Sequence, residues 1–176
     1  MNLIAAVDRN WAIGNNLRLL VRISNDQRRF RRLTKGKIVV MGRKTFERFP
    51  GGQPLDKRVN IVLTSNRNYS AKGVILAHSL EQLTEILQQY APEDVFFIGG
   101  GTIYEQMLPF CTRAYITRID YAFEADTWFP NLEQDSSWEL VEEGEEQTCF
   151  NIEYCFRTYK KLFFSFGEKQ GGSNLS

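Results

Sequence analysis

Apolar residues along this chain gather into short continuous runs, and those runs alternate with stretches of helical spacing. NLIAAVD (residues 2–8) and KIVVMG (37–42) are bounded by polar residues and too short for helices, so they predict strands buried on both faces. VNIVLTS (59–65), GVILA (73–77), DVFFIGGG (94–101) and AYITRID (114–120) predict four more. Between them, SLEQLTEILQQY (79–90) places Leu80, Leu83, Ile86 and Leu87 on one helix face. Ser24 and Ser79 each stand three residues before a glutamine, a capping-box pattern that predicts two helix starts, the first helix running to about Leu33. RKTFERF (43–49) and TIYEQMLPF (102–110) open short helices directly after strands, and residues 9–23 read as a loop.

After residue 120 the alternation stops. WELVEEGEEQ (138–147) and FNIEYCFRTYKKL (150–162) have no helix between them and predict a closing antiparallel pair. The expected architecture is an α/β domain with a mostly parallel central sheet, helices on both faces and an antiparallel C-terminal edge hairpin. One domain is expected over residues 1–162. The tail at 163–176, aromatic and then Gly/Ser-rich, is expected to be partly disordered.

Composition narrows the function class. Lys+Arg 22 against Asp+Glu 21 leaves a net charge of +1, so no global field points to nucleic acid. The run RRFRR (28–32) reads as the solvated face of one helix. Three cysteines without CxxC spacing and a single histidine, His78, argue against a zinc site or a disulfide framework, and no metal is expected. The first residues lack a signal-peptide pattern and no stretch approaches membrane-spanning length. A cytoplasmic protein without membrane or nucleic-acid partners is expected. No surplus apolar helix face is evident, which favours a monomer.

Three stretches carry candidate chemistry. VVMGRKT (39–45) and FIGGGTIY (97–104) are glycine-bearing strand-to-helix turns, where a ligand can approach the backbone and helix amides attract phosphate. Both fall at carboxyl ends of strands, where open α/β sheets bind ligands, and Arg43 and Lys44 at the first favour a phosphorylated nucleotide. The third, LLVRISNDQRRF (19–30), holds one acid, Asp26, among apolar and basic neighbours. Asp26 is either a helix-start acid favoured by the dipole or a carboxylate held over an apolar pocket for chemistry.

AAVDRNWAIGNN (5–16), Asp26 four residues before Phe30, VVMGRKTFE, LDKRVNIVLTS (55–65), FIGGGTIYEQMLP (97–109), YITRID (115–120) and ADTWFP (125–130) together resemble the dihydrofolate reductase family. The resemblance runs in unbroken order from the first strand to about Lys161. It implies NADPH-dependent reduction of 7,8-dihydrofolate to tetrahydrofolate, hydride to C6 and proton to N5, and binding of antifolate inhibitors. It also implies that Asp26 and Thr117 are catalytic, Thr117 orienting a carboxylate that grips the N3 and 2-amino edge of the pterin. Ile4, Ala5, Gln27, Phe30, Phe49, Arg58 and Ile98 would complete the substrate site, with Arg58 on the glutamate α-carboxylate. Ala6, Ile13 and Gly14 would border the nicotinamide. Gly42, Arg43, Lys44 and Thr45 would meet the pyrophosphate and 2′-phosphate, and Leu63, Thr64 and Ser65 the adenine end. Ile98, Gly99, Gly100, Gly101, Thr102 and Tyr104 would complete the cofactor cradle, with a cis peptide at the first two glycines.

The chain departs from the family pattern beside the acid. Leu19-Leu20-Val21 stands where Leu-Pro-Trp is common, Ser24 replaces the usual proline, and Gln27 replaces an apolar residue. The changes touch the mobile loop and the antifolate wall, so neither trimethoprim response nor loop behaviour follows from the resemblance. Two other readings stay open: a related pyrimidine reductase of riboflavin synthesis, and a non-catalytic NADP-binding protein of the same fold.

Overall fold

The computed structural model describes residues 1–16 and 18–163, so the predicted tail, Phe163 aside, lies outside the described residues. In chain order the elements are β1 (Asn2–Val7), β2 (Ala12–Asn15), β3 (Arg18–Leu19), α1 (Ser24–Thr34), β4 (Ile38–Gly42), α2 (Arg43–Glu47), β5 (Val59–Leu63) and β6 (Ile75–Ala77). There follow α3 (Leu80–Leu87), β7 (Val95–Gly99), α4 (Gly101–Met107), β8 (Arg113–Ile119), β9 (Thr127–Trp128), β10 (Trp138–Glu143), β11 (Gln147–Cys149) and β12 (Ile152–Lys161). A nine-stranded sheet runs β10-β12-β8-β1-β7-β4-β5-β6, with β11 on the outer part of β12. From β8 to β6 every pairing is parallel, and β12 runs antiparallel to both β8 and β10.

The near-continuous apolar runs are explained by two covered faces. Ile38 and Val40 pack with Leu83 and Leu87 of α3 and with Ile103 and Met107 of α4. Their neighbours Val39 and Met41 point the other way, to Phe46 of α2 and to Phe30 and Leu33 of α1. A strand clothed on both sides has no polar alternation to show.

Four local expectations need correction. Ser24 does not cap α1: the cap position is Ile23, extended at φ −117° and ψ 116°, with no side-chain cap bond. The Gln27 amide bonds the Ile23 carbonyl at 3.1 Å, so the helix starts one residue earlier than the capping pattern implies. Ser79 does cap α3, its hydroxyl accepting from the Gln82 amide at 3.0 Å, but the Gln82 side chain reaches the His78 amide rather than that of Ser79. Residues 9–23 are not wholly loop, because β2 and β3 form a second sheet with the distant β9. Finally, Arg28, Arg31 and Arg32 are exposed but Arg29 is buried, so the basic run is not one solvated face.

Asp8, fully buried at the end of β1, ties that second sheet down. One oxygen accepts from the Asn10 and Ala12 amides at 2.8 and 2.9 Å, and the other accepts from the Phe123 amide at 2.9 Å. At the far end the Asp126 carboxylate accepts from the Asn16 amide at 2.9 Å, and the Asp126 amide donates to the Gly14 carbonyl. Among the described residues no helix is long and apolar enough to cross a membrane.

Candidate active site

The carboxyl ends of five adjacent parallel strands, β8-β1-β7-β4-β5, carry most of the positions named from sequence. Thr117 on β8 lies beside Ala6 on β1 in register, and Ile98 and Gly99 close β7 next to it. Met41 of β4 pairs with Gly99, and Gly42 pairs with Leu63 of β5. Strand order thus joins the acid end of the edge to the glycine turns.

Asp26 sits in the first turn of α1, half-buried, and accepts a 2.5 Å hydrogen bond from the Thr117 hydroxyl. Burial pushes its carboxyl up from the ordinary carboxylate range, and the Thr117 hydrogen bond and the nearby Arg29 guanidinium pull it partway back. Tyr104 stands behind this acid, fully desolvated, and donates to the Ile4 carbonyl at 2.7 Å. Desolvation first, and the Asp26 charge second, push its phenol well above the usual range, so it stays a neutral donor.

Along α1, Phe30 follows Asp26 by one turn. The Arg58 guanidinium lies 5.9 Å from the Phe30 ring centroid and is steered by two bonds, to the Asp56 carbonyl at 2.9 Å and the Thr34 hydroxyl at 3.1 Å. Burial lowers its pKa, which leaves an arginine charged throughout the working range. Phe49 packs edge-on to Phe46 with centroids 5.9 Å apart. Val21, where a tryptophan is common, is half-buried beside Ala6 and Ile23. Gln27 is exposed, and no side-chain hydrogen bond among the described residues ties it to this group.

The glycine turns meet each other. Gly99 and Gly100 share a cis peptide, and a β-carbon on either would lie 3.6 Å from the Thr45 hydroxyl. Gly99 has φ +131°, a backbone state that L side chains rarely adopt. A β-carbon on Gly101 would stand 2.8 Å from Thr127 Cγ2 and 3.4 Å from the Trp128 carbonyl. Gly101→Ala is therefore expected to cost about 1–3 kcal/mol, read as a lowered Tm in thermal unfolding. Arg43 pairs with exposed Glu47 at 3.3 Å and lies 5.8 Å from the Tyr69 ring centroid, and Lys44 and Ser65 are exposed. Thr64 is buried, and its carbonyl lies 2.9 Å from His78 Nδ1. Ile13 and Gly14 lie on β2, and Thr102 in the first turn of α4 is exposed.

Sequence reasoning missed two residues here. His78 was weighed only as a metal ligand, and nothing local places it beside Thr64. Arg29 belongs to a run that reads as solvated; the i, i+3 spacing puts it on the face of Asp26, but only the distant Tyr115 and Phe156 turn that face inward.

A sheet covered on both faces, with a half-buried acid over one strand end and glycine turns at the neighbouring ends, defines the class: an α/β protein with a ligand-binding edge at the carboxyl ends of its parallel strands. A family model described as dihydrofolate reductase matches residues 1–161. The chain is 36% identical to the dihydrofolate reductase of Bacillus subtilis (strain 168) over 163 residues, covering 92% of this chain and 94% of that protein. It is also 36% identical to the enzyme of Heliothis virescens over 181 residues, covering 92% and 97%. Its structure is similar to that of dihydrofolate reductase from Enterococcus faecalis complexed with NADP(H) and RAB-propyl, with TM-score 0.80, 34% identity and coverage of 91% and 95%. The chain belongs to the dihydrofolate reductase family, and is thereby an NADPH-dependent oxidoreductase that reduces 7,8-dihydrofolate to tetrahydrofolate.

Proposed function

We propose that this reduction runs through Asp26 and Thr117 at the β8 end of the sheet, with the cofactor lying over the glycine turns. The observation that carries the reading is the Thr117 hydroxyl bonded to a desolvated Asp26 at the same strand edge as the Gly99–Gly101 cradle. NADPH, when bound, supplies the hydride. The residues fit such a group: Gly99 holds a backbone state that side chains disfavour, Gly101 has no room for a β-carbon, and half-buried Arg43 with exposed Lys44 and Ser65 can meet a 2′-phosphate.

In this reading Asp26 accepts from N3 and the 2-amino group of the pterin as a paired acceptor, and charge-assisted bonds in a desolvated site fix the ring. Thr117 keeps the carboxylate turned toward that edge. The carbonyls of Ile4 and Ile98 offer acceptors to the pterin's remaining N–H, and Tyr104 holds the Ile4 carbonyl in place. N5 of dihydrofolate is weakly basic in water, so excluding bulk water and placing a negative charge nearby raises its proton affinity. Asp26 lies on the far edge of the ring, and the proton reaches N5 through a water. Phe30 and Phe49 flank the pterin and aminobenzoyl rings, and Arg58 grips the glutamate α-carboxylate with its two-pronged guanidinium.

The protein acts on its small-molecule substrate as a cytoplasmic monomer, takes antifolates in the same cleft, and has no nucleic-acid partner. The test is absorbance at 340 nm. Rapid decay with NADPH and dihydrofolate together, and none with either alone, is expected. Decay with a pyrimidine substrate instead, or NADPH binding without turnover, would replace this reading.

A further inference from the structure

Of the four arginines at positions 28, 29, 31 and 32, only Arg29 turns inward, with 9% of its surface exposed. Three residues after Asp26, it shares that residue's side of α1. Its guanidinium carbon lies 4.5 Å from the ring centroid of Phe156 and 5.8 Å from that of Tyr115. Phe156 on β12 is directly opposite Thr117 on β8 in the sheet register. The aromatic floor beneath Arg29 therefore adjoins the hydroxyl that holds Asp26. Among the described residues, no carboxylate oxygen comes within 4.0 Å of this guanidinium.

A buried charge without an ion pair is costly, and two aromatic faces offset only part of that cost. What else faces it is few in number. Arg29 is met by Asp26 and Arg32 from its own helix, Tyr115 from β8 and Glu142 from β10. Asp26 is met by Arg29, by the Thr117 hydroxyl and by the Tyr104 phenol of α4. Asp26 and Arg29, three residues apart on α1, are thus oppositely charged neighbours in a low-dielectric space.

We propose that Arg29 is a positioning residue that acts through Asp26: its buried guanidinium, stacked on Phe156 directly opposite Thr117, sets the electrostatic surroundings in which Asp26 meets the pterin. The inference rests on the role given to Asp26 above. Burial alone would keep that carboxyl protonated further up the pH scale, and a fixed cation on the same helix face opposes it. The arginine does this without capping the carboxylate's oxygens, since it makes no hydrogen bond to them among the described residues. Apart from the Thr117 hydroxyl on Oδ1, those oxygens stay open to the substrate.

The test compares R29M, which keeps the stem and loses the charge, with R29K, which keeps the charge. Two readouts are taken: the pH dependence of turnover on dihydrofolate, and the carboxyl carbon NMR titration of residue 26 in the free enzyme. With R29M both are expected to move up by about half to one pH unit, because removing a cation makes the carboxyl hold its proton longer. R29K is expected to titrate with the parent. If R29M does not fold, R29Q takes its place with the same expected shift. A folded R29M or R29Q that titrates with the parent overturns the proposal. D26N separates the two readings: if it keeps turnover and the parent pH profile, the role of Asp26 fails, whereas loss of turnover in D26N with an unmoved R29M profile defeats Arg29 alone.

Discussion

Asp26→Asn is expected to keep the fold and bind NADPH while losing turnover at pH 7 by about a hundredfold or more. The geometry explains why the loss is confined to chemistry. An asparagine carbonyl can still accept from the Thr117 hydroxyl, so the local bond at the end of β8 survives. What disappears is the negative charge beside the pterin and one of its two acceptors. Stability should move the other way. The folded-state pKa of Asp26 lies above its unfolded value, so between the two the native state binds more protons and stability falls as pH rises. Removing the carboxyl lifts that loss, and the free Asn variant should be more stable than the parent at pH 7. The advantage should vanish below the ordinary carboxylate range, where both states of the parent are protonated. Turnover on dihydrofolate and thermal unfolding at about pH 3 and pH 7 check both statements, and near-normal turnover would refute the role.

The second large effect concerns the cofactor. NADPH should be preferred over NADH by about two to four decades in kcat/KM, if two charge-assisted bonds to the 2′-phosphate contribute roughly 1.5–3 kcal/mol each. Arg43 can supply one of them at little cost. Its present partner, Glu47, is an exposed i, i+4 neighbour, and such pairs contribute only a few tenths of a kcal/mol. Lys44 and Ser65 are exposed beside it, at the mouths of β4 and β5. Replacing Arg43 and Lys44 with glutamine should bring the two cofactors' kcat/KM values close together, mainly by weakening NADPH. Equal use of NADH by the parent would count against all three residues.

The parts of this molecule that were legible in the sequence are those fixed by local pattern. Six strands of the central sheet, the edge strand β6 among them, announced themselves as apolar runs, and the helix of Leu80, Leu83, Ile86 and Leu87 by its spacing, because each depends on residues a few positions apart. The paired glycine turns were legible for the same reason. β2, β3 and β9 were not: they are two to four residues long, and β9 meets β2 from more than a hundred residues away. Ser24 misled because the pattern S-N-D-Q satisfies a capping box in composition, while the backbone turns helical one residue sooner. Arg29 was hidden because an arginine in a basic run is ordinarily solvated, and only the apposition of Tyr115 and Phe156 gives it somewhere apolar to lie. Asp26 was legible as an acid among apolar residues, but its environment depends on Thr117, which lies 91 positions further along the chain.

The buried carboxylate of Asp8 has a dynamic consequence. By holding the amides of Asn10, Ala12 and Phe123 together, it splices two remote segments into a single flap whose root cannot loosen on one side alone. Those three amides should exchange with deuterium at a common, slow rate, and Asn16, moored at the tip by an exposed carboxylate, faster. A slower root than tip would make the Asp8 end the pivot of this segment.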